Sequence, residues 1–318
     1  MMNKKRPLII LTGPTAVGKT SLSIALAKQL NGEIISADSM QVYRHMDIGS
    51  AKIRKEEMQG IRHFLVDVLE PEEEFHVARF QQMAKEAMRK IYEQGKIPIL
   101  VGGTGFYIQA IVKDINFEEN DGDTAYRMEM EALGAEKGNE YLHDLLRQID
   151  AVSADEIHAN NRKRVIRALE YYHQTGEPIS LHNQRERQKT SPYNFAYFVL
   201  NDKRELLYTR INQRIDEMLD EGLVEEVRNL KKRGCHKGMV SMQGLGYKEI
   251  LSYLEGECSL DEAVEILKRD TRHFAKRQIT WFKRENDVIW VEKDQFAYDN
   301  REILNFMMEN CRKRGIID

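Results

Sequence analysis

The chain is 318 residues long, with 42% hydrophobic residues, 31% charged residues and a formal net charge of −3. That balance describes an ordinary globular protein whose core needs no staple, and it excludes a surface basic all over. No apolar run approaches the about 18 residues that cross a bilayer, and the opening MMNKKRPLIILTGP holds too short an apolar stretch for a secretory signal. Three scattered cysteines, Cys235, Cys258 and Cys311, make no zinc pattern and suit a reducing compartment. A cytoplasmic protein without membrane association is expected.

In chain order, LIIL (8–11) is a short strand that runs into Thr12-Gly13. From Gly18 an apolar side formed by Leu22, Ile24, Leu26 and Leu30 predicts a helix, stopped at Asn31-Gly32. EIISAD is a second strand, and HFLVDVLEP (63–71) reads as a third, closed by Pro71. Phe80, Ala84, Ala87, Met88 and Ile91 predict a helix over 77–94, ended by Gly95. IPILVGG is a fourth strand and TGFYIQAIV a helix. Such alternation means an α/β protein with a parallel sheet flanked by helices on both faces; GPTAVGKT, set between the first strand and the first helix, makes that sheet P-loop NTPase-like. From about residue 118 the character changes: EENDGDT is acidic and turn-prone, 124–175 reads as helices alone, and 180–194 as a polar mobile segment. FAYFVL (195–200) returns to the sheet. One long amphipathic helix is expected over 204–232, and VIWV (288–291) is a last strand. The expected domains are an α/β core of 1–117 and 195–318 and a small all-helical insertion of 118–194.

Gly13, Pro14, Thr15, Ala16, Val17, Gly18, Lys19 and Thr20 spell G-x-x-x-x-G-K-[ST] between a strand and a helix, the context that gives this motif meaning. Glycines let backbone N–H groups turn inward around phosphate oxygens, the helix N-terminus adds positive potential, and Lys19 neutralises charge. The Thr20 hydroxyl is placed to ligate Mg2+. The motif selects a diphosphate, without specifying what it is attached to.

Ligands of an open parallel sheet lie beyond the carboxyl ends of its strands. Asp38, ending IISAD, and Thr104, after ILVGG, share that rim with the phosphate loop. Asp-Ser is also good capping chemistry, and Thr104 is a plausible helix N-cap, so each has a bland reading beside the functional one. Asp67, ending FLVD, is a competing metal carboxylate.

RDTRHFAKRQITWFKR (269–284) interleaves cations with aromatics, as a nucleic-acid surface would, or as a solvated helix with core aromatics would. NNRKRVIRALEYY (160–172) is a second basic helix. Arg210 and Arg214, one turn apart, can reach back to the diphosphate or pair with acids.

The blocks GPTAVGKT, ISADSMQVYRHMDIGSAK, ILVGGTGFYI, RVIRALE, MQGLGYKE and KRQITWFK, in this order and spacing, resemble the tRNA dimethylallyltransferases over nearly the whole chain. Eukaryotic members carry an added zinc finger that these cysteines cannot build, so the resemblance is to the bacterial form. It implies that the P-loop holds the diphosphate of dimethylallyl diphosphate as a leaving group. The N6 of adenosine 37, beside the anticodon, would then attack C1 of the dimethylallyl group. By the same resemblance Asp38 is the general base, Lys19 and Thr20 with magnesium stabilise the departing diphosphate, and Thr104 and Arg210 stand near the reacting centre. Asp38, Ser39, Met40 and Gln41 match a tRNA contact. So do Lys163, Arg164 and Arg167, then Gln243 and Lys248, then Lys276, Arg277, Gln278 and Lys283. The partners implied are the tRNA anticodon stem-loop and dimethylallyl diphosphate, with no obligate protein partner and a monomer expected. A small-molecule kinase would leave a second basic helix idle, and a nucleic-acid-dependent ATPase would need a clear metal-binding acid on a neighbouring strand.

Overall fold

The computed structural model describes residues 5–117 and 124–318, and the described chain divides into two units, Met1–Val112 with Pro192–Asp318, and Lys113–Ser191. The acidic stretch 118–123, and with it the expected boundary at residue 118, lies outside the described residues.

The first unit is built on strands β1 (Arg6–Thr12), β2 (Gly32–Ser36), β3 (His63–Phe64), β4 (Ile97–Gly102), β5 (Tyr193–Asn201) and β6 (Val288–Glu292). They form one parallel sheet in the order β3-β2-β4-β1-β5-β6. Helices α1 (Lys19–Gln29), α2 (Val77–Glu93) and α3 (Gly105–Val112) are the crossovers of its first half. Side chains alternate across the sheet: Leu8 and Ile10 enter one core cluster, and Ile9 and Leu11 enter the other. All four are fully buried, so β1 is apolar at every one of these positions and marks the middle of the layers.

The helical unit contains α4 (Thr124–Lys137), α5 (Asn139–Ile149), α6 (Ala151–Glu156), α7 (Arg162–Thr175) and α8 (Ile179–Gln188). Its own small core includes Leu142, Leu146, Val165 and Leu169. The polar stretch 180–194 is therefore mostly helix, with the Asp150 carboxylate, which also caps α6, accepting the Ser180 N–H at 2.9 Å.

After β5 come α9 (Arg204–Asp220), α10 (Leu223–Lys232), α11 (Tyr247–Leu254) and α12 (Leu260–Phe282), and α13 (Asn300–Lys313) follows β6. The single helix expected over 204–232 is two, because Gly222 turns left-handed at φ 103° and redirects the chain between them. The strand expected over 63–71 is cut to His63–Phe64. Leu65 and Asp67 both take positive φ, and only an isolated Tyr43–Leu69 bridge follows. Helix α12 starts from a capping box in which Ser259 and Glu262 exchange side chain–backbone bonds, fixing the register of its basic face.

Candidate active site

β1 lies between β4 and β5, so the phosphate loop leaving Thr12 rises between the ends of two neighbours. Thr12 Oγ1 donates to the Gly102 carbonyl at 2.6 Å, pinning the loop's start to the end of β4. Only glycine fits at position 13: φ is 145°, and a Cβ would lie 2.4 Å from the Leu200 carbonyl oxygen. Gly18, left-handed at φ 93°, sets the start of α1.

Within the loop, Lys19 Nζ donates to the carbonyls of Gly13 at 2.9 Å and Pro14 at 2.8 Å. Burial pulls its ammonium down to about 8; the Asp38 carboxylate opposes that shift and the Arg214 guanidinium adds to it. Thr20 is exposed in the first turn of α1, and its backbone carbonyl is the acceptor of the Ser23 hydroxyl.

Asp38 follows β2, one strand beyond β4 from the loop. Its Oδ1 accepts the N–H groups of Met40 at 2.8 Å and Gln41 at 3.3 Å. The capping role is thus real, but it uses a single oxygen. The half-buried carboxylate also acts electrostatically on Lys19 and Arg214. Arg214, whose guanidinium is pulled down by burial and supported by Asp38, is the charge that sequence reasoning noticed but left outside the site. Its only signal was the one-turn spacing from Arg210. The Thr104 N–H donates to the Ala37 carbonyl at 3.3 Å and its own carbonyl accepts Tyr107 N–H at 3.0 Å, so it stands where an N-cap of α3 stands while tying β4 to the Asp38 loop. These contacts bring the phosphate loop, Asp38, Thr104 and Arg214 to one rim of the sheet.

Of the two readings for Arg210, the structure shows the acid pair. Its Nη1 donates to Asp202 Oδ2 at 2.6 Å, and the Asp202 side chain is completely buried at the end of β5. Next to this pair Lys293 Nζ donates to the Val17 carbonyl at 3.2 Å, adding a second ammonium to the outside of the phosphate loop. Burial and the charge of Arg210 pull it down, and Asp202 opposes them. Nothing local in the sequence marks Lys293.

Asp67 is removed from the metal reading. Its Oδ1 accepts Lys52 Nζ at 2.5 Å, and the left-handed backbone takes it out of the strand. Among the described residues no group of three or more His, Cys, Asp or Glu gathers to hold a metal. At the phosphate loop the exposed Thr20 hydroxyl is the side-chain oxygen that could hold a divalent ion.

Helix α12 splits its aromatic residues between the two readings. Phe282 is fully buried in the core, whereas Trp281 lines a groove of ≈ 450 Å³ with His273, Lys276, Arg277, Thr280 and Arg284. Lys276, Arg277 and Lys283 are exposed. Gln278 points inward instead: its Oε1 accepts the Thr15 N–H at 2.9 Å and its Nε2 donates to the Gly103 carbonyl at 3.0 Å. Gln243, exposed, donates to the Lys237 carbonyl, and Lys248 pairs with Glu249 at 3.4 Å. Ser39, Met40 and Gln41 are half-buried beside Asp38. In the helical unit Lys163, Arg164 and Arg167 are exposed on α7, and Arg167 reaches the fully buried Glu170 at 3.0 Å.

A family model described as "IPP transferase" matches residues 41–285. A tRNA dimethylallyltransferase of Lachnoclostridium phytofermentans is 63% identical over 312 residues, covering 98% of this chain and 99% of that one. Another from Acetivibrio thermocellus is 52% identical over 298 residues, covering 94% and 95%. Among solved structures, the full-length tRNA isopentenylpyrophosphate transferase of Bacillus halodurans is similar at a TM-score of 0.73 and 44% identity, covering 98% of each chain.

Proposed function

The chain belongs to the IPP transferase family, and from that premise we propose that it transfers a dimethylallyl group from dimethylallyl diphosphate to N6 of adenosine 37 of tRNA, releasing diphosphate. A carbon–nitrogen bond forms at C1 as the carbon–oxygen bond to diphosphate breaks, and the amine loses a proton. The phosphate loop binds the leaving group, and Asp38 takes the proton. What most directly supports these roles is the placement of Asp38: a carboxylate near enough to the phosphate-loop lysine to oppose its shift, with only Oδ1 committed to the turn.

An allylic centre with carbocation character asks for position and charge more than for covalent help. The turn amides of Met40 and Gln41 orient the carboxylate, while Lys19, Arg214 and the inward N–H groups balance the growing charge of the diphosphate. Thr104 and Arg210 belong to the surroundings of the reacting centre, Arg210 through its buried partner Asp202. Magnesium, held by the Thr20 hydroxyl, would add positive charge at the leaving group.

An adenine stacked in an anticodon loop is out of reach of Asp38 and has to be extruded. The exposed Lys276, Arg277 and Lys283 with Trp281 in the adjoining groove offer phosphate contacts and a stacking face. Lys163, Arg164 and Arg167 present a second cationic surface on the helical unit, suited to the stem. The kinase and ATPase alternatives lack support: the acid that would serve a metal, Asp67, is spent on Lys52. No helix among the described residues is long and apolar enough to cross a membrane, in keeping with work on tRNA in the cytoplasm.

The deciding experiment supplies purified protein with an unmodified anticodon stem-loop, dimethylallyl diphosphate and magnesium, without ATP. Prenylated RNA and free diphosphate are expected. Dependence on ATP, with ADP released in place of prenylated RNA, would overturn the assignment.

A further inference from the structure

Residues 37–62 join β2 to β3 with no helix and only the isolated bridge at Tyr43, yet they carry Asp38 and Gln41. A connection this long holds one shape only if its backbone polar groups find fixed partners. Two residues from far along the chain supply them. Glu226 of α10 accepts the N–H groups of Asp47 at 2.9 Å, Ile48 at 2.8 Å and Gly49 at 3.1 Å. Tyr247 of α11 takes the next one, Ser50 N–H at 3.1 Å, and donates its hydroxyl to Glu226 Oε1 at 2.8 Å.

The packing is as specific as the bonding. A Cβ on Gly49 would lie 2.7 Å from the Tyr247 ring, and one on Gly244 would lie 2.5 Å from Met40 Sδ. The Gly-Leu-Gly-Tyr segment 244–247 is therefore a surface shaped to the loop, and the fully buried Tyr247 is not an RNA contact. From the clamped amides the connection runs on to the site. Gln41 Nε2 donates to the Ala51 carbonyl at 3.3 Å, and the Gln41 N–H donates to Asp38 Oδ1 at 3.3 Å.

We propose that Glu226 and Tyr247 are positioning residues for the transfer: by gripping the amides of 47–50 they hold Gln41 and Asp38 in the geometry that receives the extruded base. This rests on Asp38 being the proton acceptor. A carboxylate suits the position because it accepts only, whereas a glutamine there would turn an NH2 toward backbone donors.

The test compares wild type with Glu226→Gln and Tyr247→Phe, the second keeping the ring over Gly49 so that folding is retained. Kinetics with dimethylallyl diphosphate and a stem-loop, stem-loop binding, and amide hydrogen exchange of peptides covering 36–42 and 46–52 are measured. Both variants should exchange faster across both segments and lose about tenfold to a hundredfold in kcat/KM for RNA, with the KM for dimethylallyl diphosphate unchanged. Faster exchange confined to 46–52 with normal RNA kinetics would reduce the pair to a brace and overturn the proposal. So would an equal loss toward both substrates together with a lowered melting temperature. Absence of prenyl transfer by the wild type would count against the function itself; exchange at 36–42 and stem-loop binding would then still decide whether the pair shapes the loop.

Discussion

Gln278 holds Thr15: its Oε1 accepts the Thr15 N–H at 2.9 Å across 263 residues of sequence. Its other amide atom is bonded to Gly103, so a single buried side chain of α12 joins the phosphate loop to the end of β4. The same helix presents Lys276 and Arg277 outward. Through Gln278 the helix that carries these exposed cations is tied directly to the phosphate loop.

Replacing that amide should therefore act on the diphosphate side. Gln278→Leu leaves the part-buried Thr15 N–H and the buried Gly103 carbonyl without this partner, the buried carbonyl costing about 1–3 kcal/mol. A raised KM for dimethylallyl diphosphate and a lower melting temperature are expected, with stem-loop affinity largely retained. A variant whose only defect is weaker RNA binding would mean that Gln278 serves the RNA directly.

Asp38→Asn preserves an oxygen for the Met40 and Gln41 amides while removing the basic site. Turnover should fall by about 10²–10⁴-fold, with stem-loop binding and thermal stability near wild type. Asp38→Ala, which also deletes the cap, should lose about 1 kcal/mol of stability in addition. Equal loss of binding and turnover in Asp38→Asn would make the residue structural.

The lowered Lys19 ammonium predicts a pH signature. Below about 8 the free loop already carries the charge; above it the lysine is neutral until a diphosphate draws a proton back. Affinity for inorganic diphosphate should thus weaken as pH rises through about 8, with proton uptake on binding visible by calorimetry in buffers of different ionisation heat. For folding, the unfolded chain binds the extra proton between about 8 and 10.5, so this residue makes stability increase with pH in that window. Lys19→Arg should flatten both dependences.

In the proposed function the exposed Lys276 and Arg277 would supply sequence-independent attraction for RNA phosphates. The double variant Lys276→Ala/Arg277→Ala should weaken stem-loop binding and lower the salt slope of log K by about 0.7 for each single-strand phosphate that is no longer neutralised. The KM for dimethylallyl diphosphate should stay put. An unchanged salt slope would place the RNA elsewhere.

What could be read along the chain was whatever is encoded locally. The phosphate loop is short, its glycines are demanded by backbone geometry, and the strand before it and helix after it announce themselves by apolar period; Asp38 and Thr104 follow from the rule that strand ends share a rim. The order of blocks carried the family. Apolar runs misled where backbone conformation overrode them, as at Leu65 and Asp67, and a helical period hid the break that Gly222 makes. The tertiary structure alone decided who meets whom: Gln278 with Thr15, Asp202 with Arg210, Lys52 with Asp67, Glu226 with the amides of 47–49. Such partnerships join polar groups that meet only when the chain folds. Their energies come from burial and from distances no local pattern contains, so a one-dimensional reading supplies the chemistry on offer and the folded chain determines where it is spent.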